Sequence, residues 1–374
     1  MKILITGAGG FIGKNLRAAL LQNGYEEQSL YLYDIDTDPA CLKQYTADCD
    51  FVFHLAGVNR PKDVSEYMAG NCGFTGELLE ALKENNNRAS VIVTSSIQAA
   101  LNNPYGESKK AGEELLFRYA EETGASVTVY RLANVFGKWC RPHYNSVVAT
   151  FCHQIARDLP IQINDPMTEL KLVYIDDVVA ALIGELKRGP EEKPPVHGFL
   201  SVPVSYSIRL GELAERIKSF RESRKNLFVP SFSDELTKKL YSTYLSYLPE
   251  DDFAYPLKEN RDDRGSFTEF LKTTGNGQVS VNVVRPGITK GNHWHHSKNE
   301  KFLVVKGKGL FRFRKWGETA VTEYHTDDQK LQVIDIPTGY VHNIINEGEE
   351  DLIVLIWANE TFDPACPDTW YEEV

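Results

Sequence analysis

Several features that would assign a chain to a class at once are missing from this sequence of 374 residues. Its six cysteines include no CxxC pair, so they predict neither a zinc knuckle nor a disulfide framework, and we expect a reducing compartment, the cytoplasm. No apolar run approaches the about 20 residues that span a bilayer, and the first apolar run leaves no room for a leader. We therefore expect neither membrane insertion nor a signal peptide.

A basic cluster is missing as well. Lysine and arginine number 41 against 52 aspartates and glutamates, which gives a formal net charge of −11. Such a chain has little electrostatic attraction for nucleic acid, so we expect no nucleic-acid partner. An anionic small ligand remains compatible with this charge, because the backbone dipoles at a helix N-terminus bind phosphate locally.

The first segment predicts a dinucleotide-binding unit. A short apolar strand leads into TGAGGFIG, in which Gly7, Gly10 and Gly13 are spaced three apart, and a helix follows that should end near Gly24. Glycines at this spacing let the backbone approach a pyrophosphate, whose charge faces the helix N-terminus. An ordinary tight turn is the alternative, but the strand and helix on either side favour nucleotide binding.

Asp34 closes the second predicted strand, about 20 residues after Gly13. A carboxylate there can accept a hydrogen bond from a ribose 2′-hydroxyl and would repel a 2′-phosphate, which favours NADH over NADPH. Asp36 and Asp38 lie nearby, so a solvated loop carboxylate is the alternative interpretation of Asp34.

Apolar runs at residues 50–57, 89–96 and 126–133 alternate with helical segments, which predicts a doubly wound parallel α/β sheet. The segment PYGESK places Tyr105 and Lys109 four residues apart on one face of a helix. An ammonium beside a phenol lowers the phenol pKa and makes the tyrosine a usable acid or base. The alternative is an ordinary surface pair.

Six motifs occur in order over residues 1–240: TGxxGxxG, HLAG, the Ser-Ser strand end, PYGxSK, YRLANVFG and VYIDDVV. This order resembles the extended, Rossmann-like short-chain dehydrogenase/reductases that act on nucleotide sugars. The resemblance implies that Tyr105 is the catalytic acid, Lys109 its activator and Ser96 its hydroxyl partner, with Ser95 as a rival. It also implies a nicotinamide cofactor held by Gly7, Gly10, Phe11, Ile12, Gly13, Asp34, Leu55, Ala56 and Lys109.

Beyond residue 180 the alternation fades. We predict a charged surface loop over residues 188–195 and an amphipathic helix that starts at Ser207. From residue 265 short strands follow at close spacing, which predicts an all-β sandwich or barrel. We place the boundary so that residues 1–250 form the reductase domain and residues 251–374 a second domain.

The second domain contains a set of potential metal ligands. His293 and His295 are alternate residues and face the same way on a strand, and Glu300 and His342 follow. Three imidazoles and one carboxylate suit zinc, iron, nickel or manganese, although single histidines are usually packing or surface residues. Nine residues match the two motifs of the cupin family, which folds as a jelly roll: Gly287, His293, His295, Glu300, Gly307, Pro337, Gly339, His342 and Asn346.

The two halves in this order resemble the bifunctional enzymes of capsular-polysaccharide synthesis. That resemblance implies a 4-keto UDP-sugar substrate, C3 epimerisation by a zinc cupin and C4 reduction with NADPH. Because Asp34 favours NADH, NADH stays the alternative cofactor. It implies UDP-2-acetamido-2,6-dideoxy-L-talose as the product, on the path to UDP-N-acetyl-L-fucosamine, and a homodimer.

The function leaves alternatives open. The cupin domain could only bind sugar or mediate dimerisation, the chain could be a dinucleotide sensor, or the cupin could be an iron oxygenase. The base for C3 is also open, with His296, Lys290 and Tyr340 beside the motifs.

Overall fold

The computed structural model describes residues 1–188 and 198–374. The chain forms two compact units, Met1–Ile217 with Lys239–Leu248, and Lys218–Lys238 with Pro249–Val374. The assignment of a reductase to residues 1–250 and of a cupin to residues 251–374 stays a prediction. Apart from Arg188, the loop predicted over 188–195 lies outside the described residues.

The described part of the first unit contains nine strands: β1 Ile3–Thr6, β2 Leu30–Tyr33, β3 Phe51–His54, β4 Ser90–Ser96, β5 Val127–Leu132, β6 Asn134–Phe136, β7 Glu169–Tyr174, β8 Phe199–Leu200 and β9 Tyr206–Arg209. Six of them form a parallel sheet in the order β2-β1-β3-β4-β5-β8, which confirms the predicted α/β architecture. The strands β6, β7 and β9 form a small separate sheet.

The described α-helices are α1 Phe11–Gln22, α2 Pro39–Asp48, α3 Ser65–Met68, α4 Phe74–Glu84, α5 Pro104–Thr123, α6 Val147–Ile155, α7 Ile175–Lys187, α8 Leu210–Asn226 and α9 Glu235–Leu245. None of these helices, within residues 1–188 and 198–374, is long and apolar enough to cross a bilayer. Helix α1 ends as predicted, because Gly24 follows it with a φ of +86°.

Helices cover both faces of the parallel sheet. Successive strand residues point to opposite faces, so Ile3 and Ile5 pack with residues of α1 and α7, whereas Leu4 and Val52 pack with α4 and α5. In this sheet β2 lies on one side of β1, and β3 and the later strands lie on the other side. The strand order therefore reverses between β1 and β3. A crevice for ligands therefore lies outside the carboxyl ends of these two strands.

The predicted helix start at Ser207 is wrong. Residues 206–209 form β9, which pairs antiparallel with β7, and α8 begins at Leu210. Ile208 is buried between exposed Ser207 and Arg209, and this alternation has the period of a strand rather than of a helix.

The described part of the second unit contains twelve strands: β10 Phe228–Val229, β11 Glu259–Asp262, β12 Gly265–Thr273, β13 Gly277–Val284, β14 Thr289–Trp294, β15 Glu300–Lys306, β16 Lys308–Lys315, β17 Val321–Asp327, β18 Val333–Ile336, β19 Tyr340–Asn346, β20 Leu352–Ala358 and β21 Trp370–Tyr371. They form one sheet in the order β10-β12-β13-β20-β15-β18, with β11 on β12, and a second in the order β17-β16-β19-β14-β21. Phe302 and Val354 from the first sheet share a buried cluster with Phe311 and Ile344 from the second. The region from β11 onward is therefore all-β, as predicted.

Candidate functional site

The glycine turn between β1 and α1 leaves no room for a side chain at Gly7 or at Gly13. A Cβ on Gly7 would lie 2.7 Å from the backbone nitrogen of Ala56, and one on Gly13 would lie 2.2 Å from the carbonyl oxygen of Gly7. Gly7 also has a φ of +68°, a conformation that favours glycine. The turn therefore packs against the backbone of Leu55 and Ala56, and these predicted cofactor residues come together at the crevice.

The N-terminus of α1 faces the same crevice. Gly10 is the N-cap, and no side chain of the described chain caps the amides that follow it. Phe11 and Ile12 pack against the sheet cluster, which holds the helix end in place. Uncapped amides at the start of a twelve-residue helix favour an anion such as a pyrophosphate.

Asp34 follows β2 directly and is fastened to the glycine turn. Its carboxylate accepts a hydrogen bond from the Gly9 amide at 2.6 Å and another from the Ile35 amide at 2.8 Å. The structure thus places a carboxylate beside the predicted dinucleotide turn, whereas Asp36 is exposed in the adjoining loop.

Tyr105 and Lys109 lie in the first two turns of α5, as predicted. The Asn103 side chain caps this helix by accepting from the Gly106 amide at 2.9 Å. Burial raises the pKa of Tyr105 to about 12, and a hydrogen bond with Ser96 acts in the opposite sense. The expected lowering of this pKa by Lys109 is wrong for this structure, because the loss of hydration outweighs other influences.

Lys109 is itself affected by burial. Removal from water lowers its pKa to about 8, although Glu113 acts to raise it. Its ammonium donates to the Thr94 carbonyl oxygen at 3.2 Å. Because its pKa of about 8 lies above neutral pH, the Lys109 ammonium is mostly charged there.

The two candidate serines have different surroundings. The Ser95 hydroxyl donates to Glu113 at 2.6 Å, and buried Glu113 forms an ion pair with Arg131 at 2.6 Å. The Ser96 hydroxyl accepts from the Gln98 amide at 3.1 Å and lies beside the Tyr105 phenol. Ser96 rather than Ser95 therefore shares the surroundings of Tyr105.

Sequence reasoning missed Asn71. This buried residue lies in a π-helical turn, Ala69–Gly73, between α3 and α4. Its side-chain amide accepts from the Val58 amide at 2.9 Å, donates to the Val58 carbonyl at 3.0 Å, and donates to the Ser108 hydroxyl at 3.0 Å. It joins the loop after β3 to the start of α5. A π-turn has no simple sequence signature, although such turns are frequent at functional sites.

His54 has a structural environment at the end of β3. Its Nδ1 lies 2.7 Å from the Thr6 hydroxyl and its Nε2 lies 2.9 Å from the Thr75 hydroxyl. Burial lowers its pKa to about 3, so the imidazole is neutral at physiological pH. His54 on β3 therefore connects β1 with α4 through Thr6 and Thr75.

In the second unit the four predicted metal ligands converge. His293 on β14 lies opposite His342 on β19, His295 follows β14, and Glu300 begins β15. One potential ligand atom from each lies within 4.8 Å of all the others. The register of β14 on β19 shifts between Gly291 and His293, and such a bulge re-aims side chains.

The electrostatics of this cluster suit a cation. Burial lowers the pKa of His293 to about 3, so its imidazole is neutral. Burial alone would raise the pKa of Glu300, but the imidazoles of His295 and His342 and the charge of Lys298 hold it well below its usual range. The cluster therefore contains an ionised Glu300 carboxylate and a neutral His293 imidazole.

The arrangement of the four side chains fits a bound divalent cation. The Nε2 atom of His342 is buried and has no hydrogen-bond partner among the described residues. The Nε2 of His295 and that of His342 lie 3.3 Å and 3.7 Å from the same oxygen of Glu300. An unpartnered imidazole nitrogen that faces a carboxylate oxygen is the arrangement that a divalent cation completes.

With both sites described, comparison with known proteins becomes informative. Residues 3–195 match the NAD dependent epimerase/dehydratase family, and residues 260–370 match the Polysaccharide biosynthesis C-terminal domain. The crystal structure of the capsular polysaccharide assembling protein CapF from Staphylococcus aureus is 50% identical, with a TM-score of 0.92 and complete coverage of both chains. The chain belongs to the CapF family of NAD dependent epimerases/dehydratases.

A curated relative agrees over the same length. The UDP-2-acetamido-2,6-beta-L-arabino-hexul-4-ose reductase of Pseudomonas aeruginosa is 46% identical over 99% of this chain and 98% of its own. Membership of the family implies a nicotinamide cofactor. The UDP-glucuronic acid 4-epimerase of Bacillus cereus, 23% identical with a TM-score of 0.51 over 59% of this chain and 83% of that one, shows a shared fold.

Proposed function

We propose that this chain is a bifunctional nucleotide-sugar enzyme that epimerises C3 of a 4-keto UDP-sugar and then reduces its C4 ketone. The observation that carries the proposal is the presence of two separate sites in a chain 46% identical to a UDP-sugar 4-keto reductase. One site contains Tyr105, Lys109 and Ser96, and the other contains the four converging histidine and glutamate side chains.

The reductive step takes place in the first unit. A bound nicotinamide, held by Gly7, Gly10, Phe11, Ile12, Gly13, Asp34, Leu55, Ala56 and Lys109, would supply the hydride that adds to C4. Tyr105 donates a proton to the C4 oxygen, and its raised pKa keeps the phenol protonated and ready to donate. Ser96 orients the carbonyl oxygen by a hydrogen bond. The charge of Lys109 stabilises the phenolate that remains.

The epimerising step takes place in the second unit, which we assign to the cupin family. A zinc ion held by His293, His295, Glu300 and His342 would polarise the C4 carbonyl and so acidify the C3 proton. Removal of that proton and its return on the opposite face invert C3. The neutral His293 imidazole and the ionised Glu300 are already in the ligating form.

The candidates for the C3 base differ in their surroundings. The Lys290 ammonium donates to Asn282 at 3.0 Å and to the carbonyls of Ser266 and Val283 at 3.3 Å and 2.8 Å, which disfavours it as a base. His296 is exposed between aromatic rings, and Tyr340 is partly buried at the start of β19. The base therefore stays open between His296 and Tyr340.

Reduction removes the ketone that acidifies C3, so epimerisation precedes it. The proposed product is UDP-2-acetamido-2,6-dideoxy-L-talose, for UDP-N-acetyl-L-fucosamine and capsule synthesis. NADPH is the proposed reductant, with NADH as the alternative that Asp34 favours. We further propose a cytoplasmic homodimer.

The test is proton NMR of a 4-keto UDP-sugar in D₂O with the purified enzyme. Without a reductant we expect deuterium at C3 only, and with NADPH we expect a reduced sugar that carries deuterium at C3. Reduction without any C3 exchange would leave a reductase whose second unit only binds sugar or mediates dimerisation. Oxygen consumption in place of exchange would indicate an oxygenase.

A further inference from the structure

The C-terminal segment 368–372 lies beside the four potential metal ligands. Strand β21 pairs antiparallel with β14, so Trp370 lies opposite Trp294 and Tyr371 opposite His293. The Glu372 amide continues the pairing and donates to the Asn292 carbonyl at 3.0 Å. A ligand-bearing strand therefore has the C-terminal segment as its outer neighbour.

Asp368, just before β21, binds the loop that joins His295 to Glu300. One of its carboxylate oxygens accepts from the His296 amide at 2.9 Å. The other accepts from the Ser297 amide at 2.7 Å, the Ser297 hydroxyl at 3.0 Å and the Lys298 amide at 2.9 Å. Four donors from this short loop on one carboxylate fix the conformation of the loop.

The backbone of Asp368 also contacts a ligand directly. Its carbonyl oxygen is hydrogen-bonded to Nδ1 of His295. A carbonyl oxygen can only accept, so Nδ1 donates to it, and Nε2 is the ring nitrogen that faces Glu300 at 3.3 Å within the ligand cluster. The partner of the far nitrogen thus decides which nitrogen of His295 can bind a cation.

Thr369 extends this support to the carboxylate ligand. Its hydroxyl accepts from the Lys298 ammonium at 2.9 Å, and that ammonium lies 3.8 Å from Glu300. The C-terminal segment 368–372 therefore reaches the surroundings of His293, His295 and Glu300.

We infer that segment 368–372 is a structural part of the metal site and that Asp368 is a positioning residue for His295 and for the loop 296–298. This inference rests on the proposed metal site. Hydrogen bonds to the far nitrogen of a ligating histidine fix its orientation, and their loss weakens metal binding by about 10- to 100-fold.

The experiment is a titration of the metal-free, full-length protein with Co²⁺, whose visible absorption bands report the ligand geometry. Asp368→Ala keeps the backbone carbonyl but releases the side-chain contacts that hold it on the loop 296–298, so the bond to His295 should be lost with them. Co²⁺ affinity should then weaken by about 10- to 100-fold, and the band shape should change. Asp368→Asn should have a smaller effect, because its amide keeps one acceptor oxygen. The matched control is Asp363→Ala, since Asp363 lies just before segment 368–372 and accepts a hydrogen bond from the Ala365 amide instead of from the loop 296–298.

Unfolding midpoints of the metal-free variants separate positioning from general stability. We expect the control to keep the wild-type affinity and spectrum, and we expect Asp368→Asn to fold even if Asp368→Ala does not. If the wild type takes up one equivalent of Co²⁺ and the Asp368 variants bind it equally tightly with the same spectrum, the inference alone is wrong. If the wild type takes up no Co²⁺, the proposed metal site is wrong and the inference falls with it.

Discussion

The two candidate sites are built in different ways. In the first unit the site consists of strand ends and helix starts, and its side chains have partners, such as Lys109 with Thr94, while no described side chain caps the amides at the start of α1. In the second unit four side chains converge from β14 and the residue after it, from β15 and from β19, and Nε2 of His342 has no hydrogen-bond partner among the described residues. In the proposed function, the first site binds its ligand by shape and backbone dipoles, whereas the second needs a cation to balance its donors. The following predictions test this difference.

The largest expected effect separates the two activities. Tyr105→Phe removes the proton donor, so reduction should fall by about 10²–10⁴-fold, while deuterium exchange at C3 stays nearly intact. The measurement is NADPH oxidation beside C3 exchange. Tyr67→Phe is the control, because the Tyr67 ring packs 5.6 Å from Tyr105 but its hydroxyl bonds the Asn59 carbonyl. Equal loss of both activities would mean that the two sites do not act independently.

The converse change should abolish the other activity. His295→Ala or Glu300→Ala removes a ligand, so bound metal and C3 exchange should be lost, and added zinc should no longer raise the melting temperature. Metal analysis and thermal unfolding measure this. His325→Ala is the control, since His325 is exposed and pairs with Glu347. A full equivalent of metal in either ligand variant would contradict the ligand assignment.

The glycine-turn carboxylate should have a moderate effect on cofactor choice. Asp34→Ser removes a negative charge from the predicted ribose position, so kcat/KM should shift toward NADPH over NADH by about 1–3 kcal/mol. Steady-state kinetics with both cofactors measure the ratio. Asp36→Ser, an exposed carboxylate two residues away, should leave it unchanged. The same ratio in the wild type and Asp34→Ser would show that Asp34 does not contact the ribose.

The smallest effect concerns the pH dependence of stability. His54 has a folded-state pKa of about 3, below its usual value of 6.5, so between these values the unfolded chain binds a proton that the folded chain does not. The free energy of unfolding should therefore fall as the pH drops below 6.5, by at most about 1.4 kcal/mol per pH unit. Chemical unfolding of wild type and His54→Gln at about pH 7 and about pH 5.5 measures the difference. Identical pH dependence in the two proteins would contradict a buried neutral His54.

Much of the first site could be predicted from residues that lie close together in the sequence. The glycine spacing predicts the tight turn because only glycine fits beside Ala56, and the interval between Tyr105 and Lys109 predicts a common helix face. The predicted helix start at Ser207 is wrong because a four-residue strand precedes the helix. Four residues are too few to distinguish the period of a strand from that of a helix. Asn71 could not be predicted, since its partners Val58 and Ser108 lie far from it in sequence.

The types and spacings of the candidate reacting groups follow from the sequence alone: the glycine turn, the helix with Tyr105, and the three imidazoles with Glu300. These follow from backbone freedom, residue periodicity and ligand chemistry, which are local properties. Other features depend on the tertiary structure. His342 pairs opposite His293, and the Ser95 hydroxyl donates to Glu113. Burial raises the pKa of Tyr105, and the Asp368 carbonyl is hydrogen-bonded to His295. The physical reason is that strand register, burial and hydrogen-bond partners depend on residues distant in the chain, and only the packed fold brings those residues together.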